Sequence, residues 1–139
     1  MEAYLHKAYT IGGMMIFPVH RYSFNQARGM HRKIRDRWDL SLECIRRYYV
    51  GEESPLSKQL EKDAGFYGLF NDFRGFVEFF YLEDCLTDDG QVLMYTGGKP
   101  FESPVFPQSI DEYWEFLRRE LKLVEKRNRR IDKSVNHIE

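Results

Sequence analysis

The strongest constraint on this chain lies toward its C-terminal end, where Ser109-Ile110-Asp111-Glu112 fits the start of a helix. In such a capping box the Ser side chain accepts the amide three residues on, and the Glu side chain reaches back to the cap amide. From there Ile110, Trp114, Leu117, Leu121, Val124, Asn128 and Ile131 recur at steps of four and three, the spacing of one helical face. The pattern predicts a helix of about 24 residues whose apolar seam is broken once, by Asn128. An amide turned inward needs partners, and the seam predicts them on the polar face of the first two helices.

The same period returns upstream. After Ser23, a side chain suited to capping, Phe24, Ala27, Ile34 and Trp38 predict a helix from Phe24 to about Arg37. Asp39 is placed to cap a second helix that buries Leu42, Ile45 and Tyr49 and stops at Gly51. One long kinked helix is the alternative. Ser54-Pro55 predicts a short helix to about Ala64. Phe66, Leu69, Phe70, Phe73, Phe76, Val77 and Phe80 predict the core helix, with Gly68 and Gly75 allowing a close helix crossing. The run YTIGGMMIF, Tyr9 to Phe17, is rich in strand formers and closed by Pro18, so it predicts a strand. Gly12 and Gly13 inside it mark a bulge or a close approach of another backbone or a ligand. Asp88-Asp89-Gly90 predicts a turn, and Gln91 to Tyr95 a second short strand. The expected fold is α+β and predominantly helical, a small N-terminal strand element packed against a bundle, in a single domain over residues 1–139.

With eleven Phe and nine Tyr the chain has ample area for one core, so disorder is excluded for its middle. The most apolar stretch, Phe66 to Leu82, is interrupted by Asp72, Arg74 and Glu78, which excludes a membrane span there. The N-terminus carries no secretory signal pattern, and Cys44 and Cys85 lack metal-ligand or CxxC spacing. A cytoplasmic protein with two reduced, packed cysteines follows as the expectation. Charge is segregated: residues 20–37 carry six Lys/Arg against Asp36, residues 118–133 eight against three acids, and residues 52–89 ten acids against three bases. Packing of the basic terminal segments beside the acidic middle is the simplest use of that pattern. A net charge of −1 disfavours nucleic acid as a partner without excluding it.

Asn25, Arg28, Arg32, Asp36, Asp39, Glu43 and Arg47 follow one another at three- or four-residue steps along the first two helices. Two readings stand. One is a solvated face laced with ion pairs such as Arg32 with Asp36 and Glu43 with Arg47. The other is a polar groove facing a cleft, in which arginines bind a phosphate or carboxylate and acids orient them. Asp36, Asp39 and Glu43 share a face, but interleaved arginines argue against a metal, and no HxH or HxxxH spacing links His6, His20, His31 and His137. The candidate ligand-binding set is Asn25, Arg28, Asp36, Asp39, Glu43, Arg47, Arg127 and Asn128. No nucleophile motif and no phosphate-binding loop is present, and no cofactor is implied.

The runs SFNQARG (Ser23 to Gly29), DRWDLSLECIRRYY (Asp36 to Tyr49), SPL (Ser54 to Leu56), FYGLFNDFRGFVEFF (Phe66 to Phe80) and RNRRI (Arg127 to Ile131) resemble a family of bacterial proteins classed as a domain of unknown function. The resemblance runs from about Thr10 to Ile131. It implies a bacterial source and supplies no activity, cofactor or catalytic residue. Family members often carry a further strand-rich segment before the position of Tyr9, so the chain reads either as a whole domain or as the C-terminal part of one. The expected function is a non-enzymatic ligand-binding or interaction module whose polar groove takes an anionic small molecule or protein partner. The alternative is an enzyme on a nucleotide or nucleic acid, with Arg28 or Arg47 on phosphate and Asp39 or Glu43 as base. An unpaired strand edge near Gly12 would also favour a homo-oligomer.

Overall fold

A computed structural model describes residues 10–18, 23–96, 98–102 and 104–136. His6, His20 and His137, and Tyr9 at the head of the expected strand, lie outside the described residues. Among the described residues six α-helices follow a 3-10 turn at Ile11–Gly13: α1 (Phe24–Met30), α2 (Trp38–Val50), α3 (Ser57–Lys62), α4 (Ala64–Gly68), α5 (Phe73–Phe79) and α6 (Ile110–Asn136). A second 3-10 turn, Glu83–Cys85, precedes the long connection into α6.

The α+β expectation is overturned. Among the described residues there is no strand, only an isolated antiparallel bridge between Leu86 and Val92. Residues Thr10 to Phe17 do not pair as a strand because their polar backbone groups go to α6. Asn128 accepts the Gly12 amide, and Arg127 donates to the carbonyls of Gly12 and Met14. The close approach expected at the glycines is real: a Cβ on Gly12 would lie 2.5 Å from Asn128 Oδ1 and 2.6 Å from the Val124 carbonyl. With no strand, the edge argument for a homo-oligomer falls. The second expected strand reduces to the single bridge, which flanks the predicted turn at Gly90 (φ 80°).

Ser23 caps α1 as expected, its Oγ accepting the Gln26 amide at 3.3 Å. The helix nevertheless stops at Met30, well short of Arg37: His31 turns extended (φ −70°, ψ 128°), and Arg35 and Asp36 then adopt left-handed φ of 48° and 62°. That turn also rules out one continuous helix. Arg37, not Asp39, holds the cap position of α2, and Gly51 ends it in the left-handed conformation at φ 79°. The expected core helix is two pieces. Asn71 breaks it at φ 73°, a conformation Asn tolerates better than most residues, and Asp72 caps the new start by accepting the Gly75 amide at 2.7 Å. Gly75 is required there, since a Cβ would sit 1.9 Å from the Phe70 carbonyl.

The core keeps the aromatic set despite the break. Phe66, Phe70, Phe76 and Phe80 stack edge-on or tilted, with centroids 4.9 to 5.5 Å apart for the Phe66–Phe70, Phe70–Phe80, Phe76–Phe80 and Phe70–Phe76 pairs, around buried Phe24, Ile34, Ile45, Leu56, Leu60 and Tyr67. The last helix is 27 residues long, and its buried line runs through Leu117, Leu123, Val124 and Arg127. That line is turned by roughly 60° from the expected seam. Ile110 and Trp114, at 76% and 48% exposure, therefore face out. At its start Ser109 Oγ accepts the Glu112 amide at 3.1 Å, but Glu112 reaches back to the Gln108 amide, one residue before the cap.

Candidate functional site

The stripe expected along the first two helices divides at the Arg35–Asp36 turn. Arg28 rests over the Phe17 ring at 5.1 Å and donates to Asn25 Oδ1 (3.1 Å) and the Asp36 carbonyl (3.3 Å). Its carboxylate partner is Asp36, at 3.5 Å, so the expected Arg32–Asp36 pair is replaced by an Arg28–Asp36 pair. Asn25 and Asp36 are exposed.

Asp39 lies in the interior, its side chain 0% exposed against the 7% of Arg37. The two form a bidentate pair; Asp39 also accepts the Leu40 and Tyr95 amides at 2.9 and 2.8 Å, while Arg37 donates to the Val105 carbonyl at 2.8 Å. This pair ties the first turn of α2 to the 91–109 connection. Its contacts are all with groups of the protein itself, which takes Asp39 out of any base role facing solvent.

Glu43 is likewise engaged. It receives both Arg46 (2.9 Å, two contacts) and Arg47 (2.9 Å). Burial pushes its carboxyl up, yet the hydrogen bonds and charges of the two arginines outweigh burial and hold it below the usual carboxylate range. A carboxylate so held is a poor proton acceptor near neutrality.

Arg32 and Arg47 are the two members of the stripe that border an open hollow. That hollow, of about 420 Å³, is lined by His31, Arg32 and Lys33 from the α1–α2 turn, Arg47, Glu53 and Ser54 beyond α2, and Phe101 from the 98–102 loop. Arg47 lies on the Phe101 ring at 4.9 Å and donates to the Glu53 carbonyl at 3.2 Å. Phe101 holds φ 66°, a strained value for a bulky side chain. His31 Nδ1 accepts the Lys33 amide at 3.1 Å, a role open only to the neutral ring; burial first, then Lys33 and Arg32, lower its pKa. Arg32 and Lys33 form no ion pair among the described residues, while Glu53 and Glu102 supply the carboxylates of the same lining. His31, Lys33 and Phe101 escaped the sequence reading because a helix was expected through residue 37, which scatters them, and because no periodicity marks a loop.

Arg127 and Asn128 lie elsewhere. Arg127 is buried against Trp38 at 5.1 Å and donates to the Phe80 carbonyl at 2.8 and 3.1 Å. Asn128 donates to Thr10 Oγ1 at 2.8 Å and accepts the Gly12 amide at 2.7 Å. Its partners are the N-terminal turn, not the stripe, which corrects the expected junction. Both thiols are buried, and burial pushes Cys44 and Cys85 up to about 12, which leaves them inert.

The sequence matches the model of a family of unknown function (DUF6994) over residues 1–131. The chain belongs to that family. No curated protein and no solved structure matches it. Among the described residues no helix is long and apolar enough to cross a membrane.

Proposed function

We propose that this DUF6994 member is a ligand-binding module for a phosphate- or carboxylate-bearing small molecule, seated in the hollow between the α1–α2 turn, α2 and the 98–102 loop. The observation that carries this reading is the placement of Arg47. Glu43 and the Glu53 carbonyl fix its guanidinium on the Phe101 ring at the wall of the hollow, across from Arg32 and Lys33. An arginine held in one orientation loses little freedom on meeting a planar anion. The stripe supports the reading through Arg32 and Arg47, because Asp39 and Glu43 are bound to arginines of the protein itself. For the same reason neither is placed to serve as a base, which favours binding over catalysis.

Titration calorimetry with pyrophosphate, AMP and citrate tests the reading. Arg32→Ala with Lys33→Ala removes two exposed cations that hold nothing else, and should weaken the tightest of the three probes by about tenfold or more. Asn25→Ala, outside the hollow, should leave it unchanged. Heat signals absent for all three probes, or equal affinities in both variants, would sink the proposal.

A further inference from the structure

The outward side of α6 is a second charged surface, distinct from the hollow. Because the buried line of the helix passes through Leu117, Leu123, Val124 and Arg127, the opposite side carries Arg118, Lys122, Lys126, Arg129 and Lys133 in one row. At a rise of 1.5 Å per residue the row is about 22 Å long, with a cation every 4.5 to 6 Å. Arg118 is partly matched by Glu115 at 3.3 Å. Lys122, Lys126, Arg129 and Lys133 form no ion pair among the described residues. Five acids lie near the row: Glu83, Asp84, Glu115, Glu125 and Asp132. Asp84 and Glu83 are taken by Arg130 at 2.9 Å each, and Glu125 and Asp132 flank one edge of the row. Between Lys126, Arg129, Arg130 and Lys133, over Asp84, lies a shallow hollow of about 260 Å³ that can seat one phosphate group.

We propose that this row binds the phosphodiester backbone of nucleic acid. Three features select a linear polyanion. The cations form a line and not a cluster, the row of about 22 Å spans several successive phosphates of a strand at roughly 3.4 Å each, and Lys122, Lys126, Arg129 and Lys133 have no ion-pair partner among the described residues, Asp84 beneath them being held by Arg130. A bilayer is a poorer fit: the exposed apolar side chains Ile110, Trp114 and Val135 of α6 lie roughly 80° or more around the helix from the cation row, so none accompanies it to insert. No base-reading group accompanies the row, so binding is independent of sequence.

Fluorescence anisotropy of the full chain with a labelled 20-base-pair duplex and with one of its strands, between 50 and 200 mM NaCl, is the test. Four released counterions give a log–log salt slope of about −3.5 on duplex and about −3 on single strand, or roughly a 10²-fold loss across that range. The Lys122→Ala, Arg129→Ala, Lys133→Ala triple variant, all on exposed positions, should bring the slope near −1 and lose about 10²-fold in affinity at 50 mM. Arg32→Ala with Lys33→Ala should change neither, which separates this surface from the small-molecule hollow. No binding to either form at 50 mM salt, an unchanged slope in the triple variant, or binding to anionic phosphatidylserine vesicles in preference to both nucleic acids would overturn the proposal.

Discussion

Asn128 Oδ1 accepts the Gly12 amide at 2.7 Å across 116 residues of sequence, fastening the N-terminal turn to the middle of the last helix. The contact admits no larger residue at position 12, where a Cβ would meet both Asn128 and the Val124 carbonyl. Backbone on that side cannot move away without giving up the Arg127 contacts to the Gly12 and Met14 carbonyls.

Asn128→Ala therefore leaves the Gly12 amide without its acceptor, and should cost about 1 to 3 kcal/mol. Gly12→Ala should cost at least as much, through the clash. Asn136→Ala, exposed in the final turn of α6, should cost less than about 0.5 kcal/mol. Urea midpoints of the three variants beside the parent decide the matter. Coincident midpoints for Asn128→Ala and Asn136→Ala would mean that the N-terminal turn contributes nothing to the fold.

The Arg37–Asp39 pair sets up a sharper contrast. Two carboxylates three residues apart, Asp36 and Asp39, differ in side-chain exposure by 71% against 0%. Asp39→Ala leaves a buried guanidinium and the Leu40 and Tyr95 amides without their acceptor, at a cost of about 3 to 5 kcal/mol. Asp36→Ala should change stability by less than about 0.5 kcal/mol. Denaturant unfolding of the pair checks it. A small effect at Asp39 would show that water replaces the carboxylate and that the 91–109 connection is not held by it.

Much of this architecture was legible in the residues, for identifiable reasons. Local signals survive because they act within one turn: the Ser23 cap, the Gly51 stop, the Gly90 turn and half of the Ser109 capping box are all where the sequence places them. The Glu43–Arg47 pair was readable from i,i+4 spacing alone. Misreadings came where tertiary contacts override periodicity. Strand-forming residues at Thr10 to Phe17 gave way to bonds with Asn128 and Arg127 that lie far away in sequence. A continuous aromatic period hid the break at Asn71, because both halves still point their rings into one core. On α6 the apolar 4-3 spacing pointed 60° away from the true contact line, since an inward arginine, Arg127, carries the junction that hydrophobicity assigned to its neighbours. The hollow was least legible, as it is assembled from a tight turn and a loop whose residues obey no period.

His31 makes ligand binding in that hollow pH-dependent, and the sign follows from its surroundings. In the free protein burial, Lys33 and Arg32 hold its pKa below the ordinary value of 6.5, and the Lys33 amide bonds its Nδ1. An anion in the hollow offsets both cations and stabilises the imidazolium, so the bound state has the higher pKa and binding takes up a proton. Affinity then rises as pH falls through the 6.5 region and is level above it. The free fold responds in the opposite direction. A histidine whose folded pKa is depressed contributes stability above its unfolded pKa and loses it as pH falls through both values, so acidification weakens the apo protein at this residue while tightening the complex. Glu53 and Glu102 also border the hollow. Sulfate is the suitable probe, because its own charge does not change in this range. Its affinity for the parent should be about three- to tenfold greater at about pH 5.5 than at about pH 7.5, one pKa unit of bound-state shift corresponding to tenfold. In His31→Gln the two values should coincide, with the affinity at the higher pH retained. A parent whose sulfate affinity is flat across that interval, or a His31→Gln variant that keeps the slope, would remove His31 from the site and leave Arg32, Lys33 and Arg47 as its only cations.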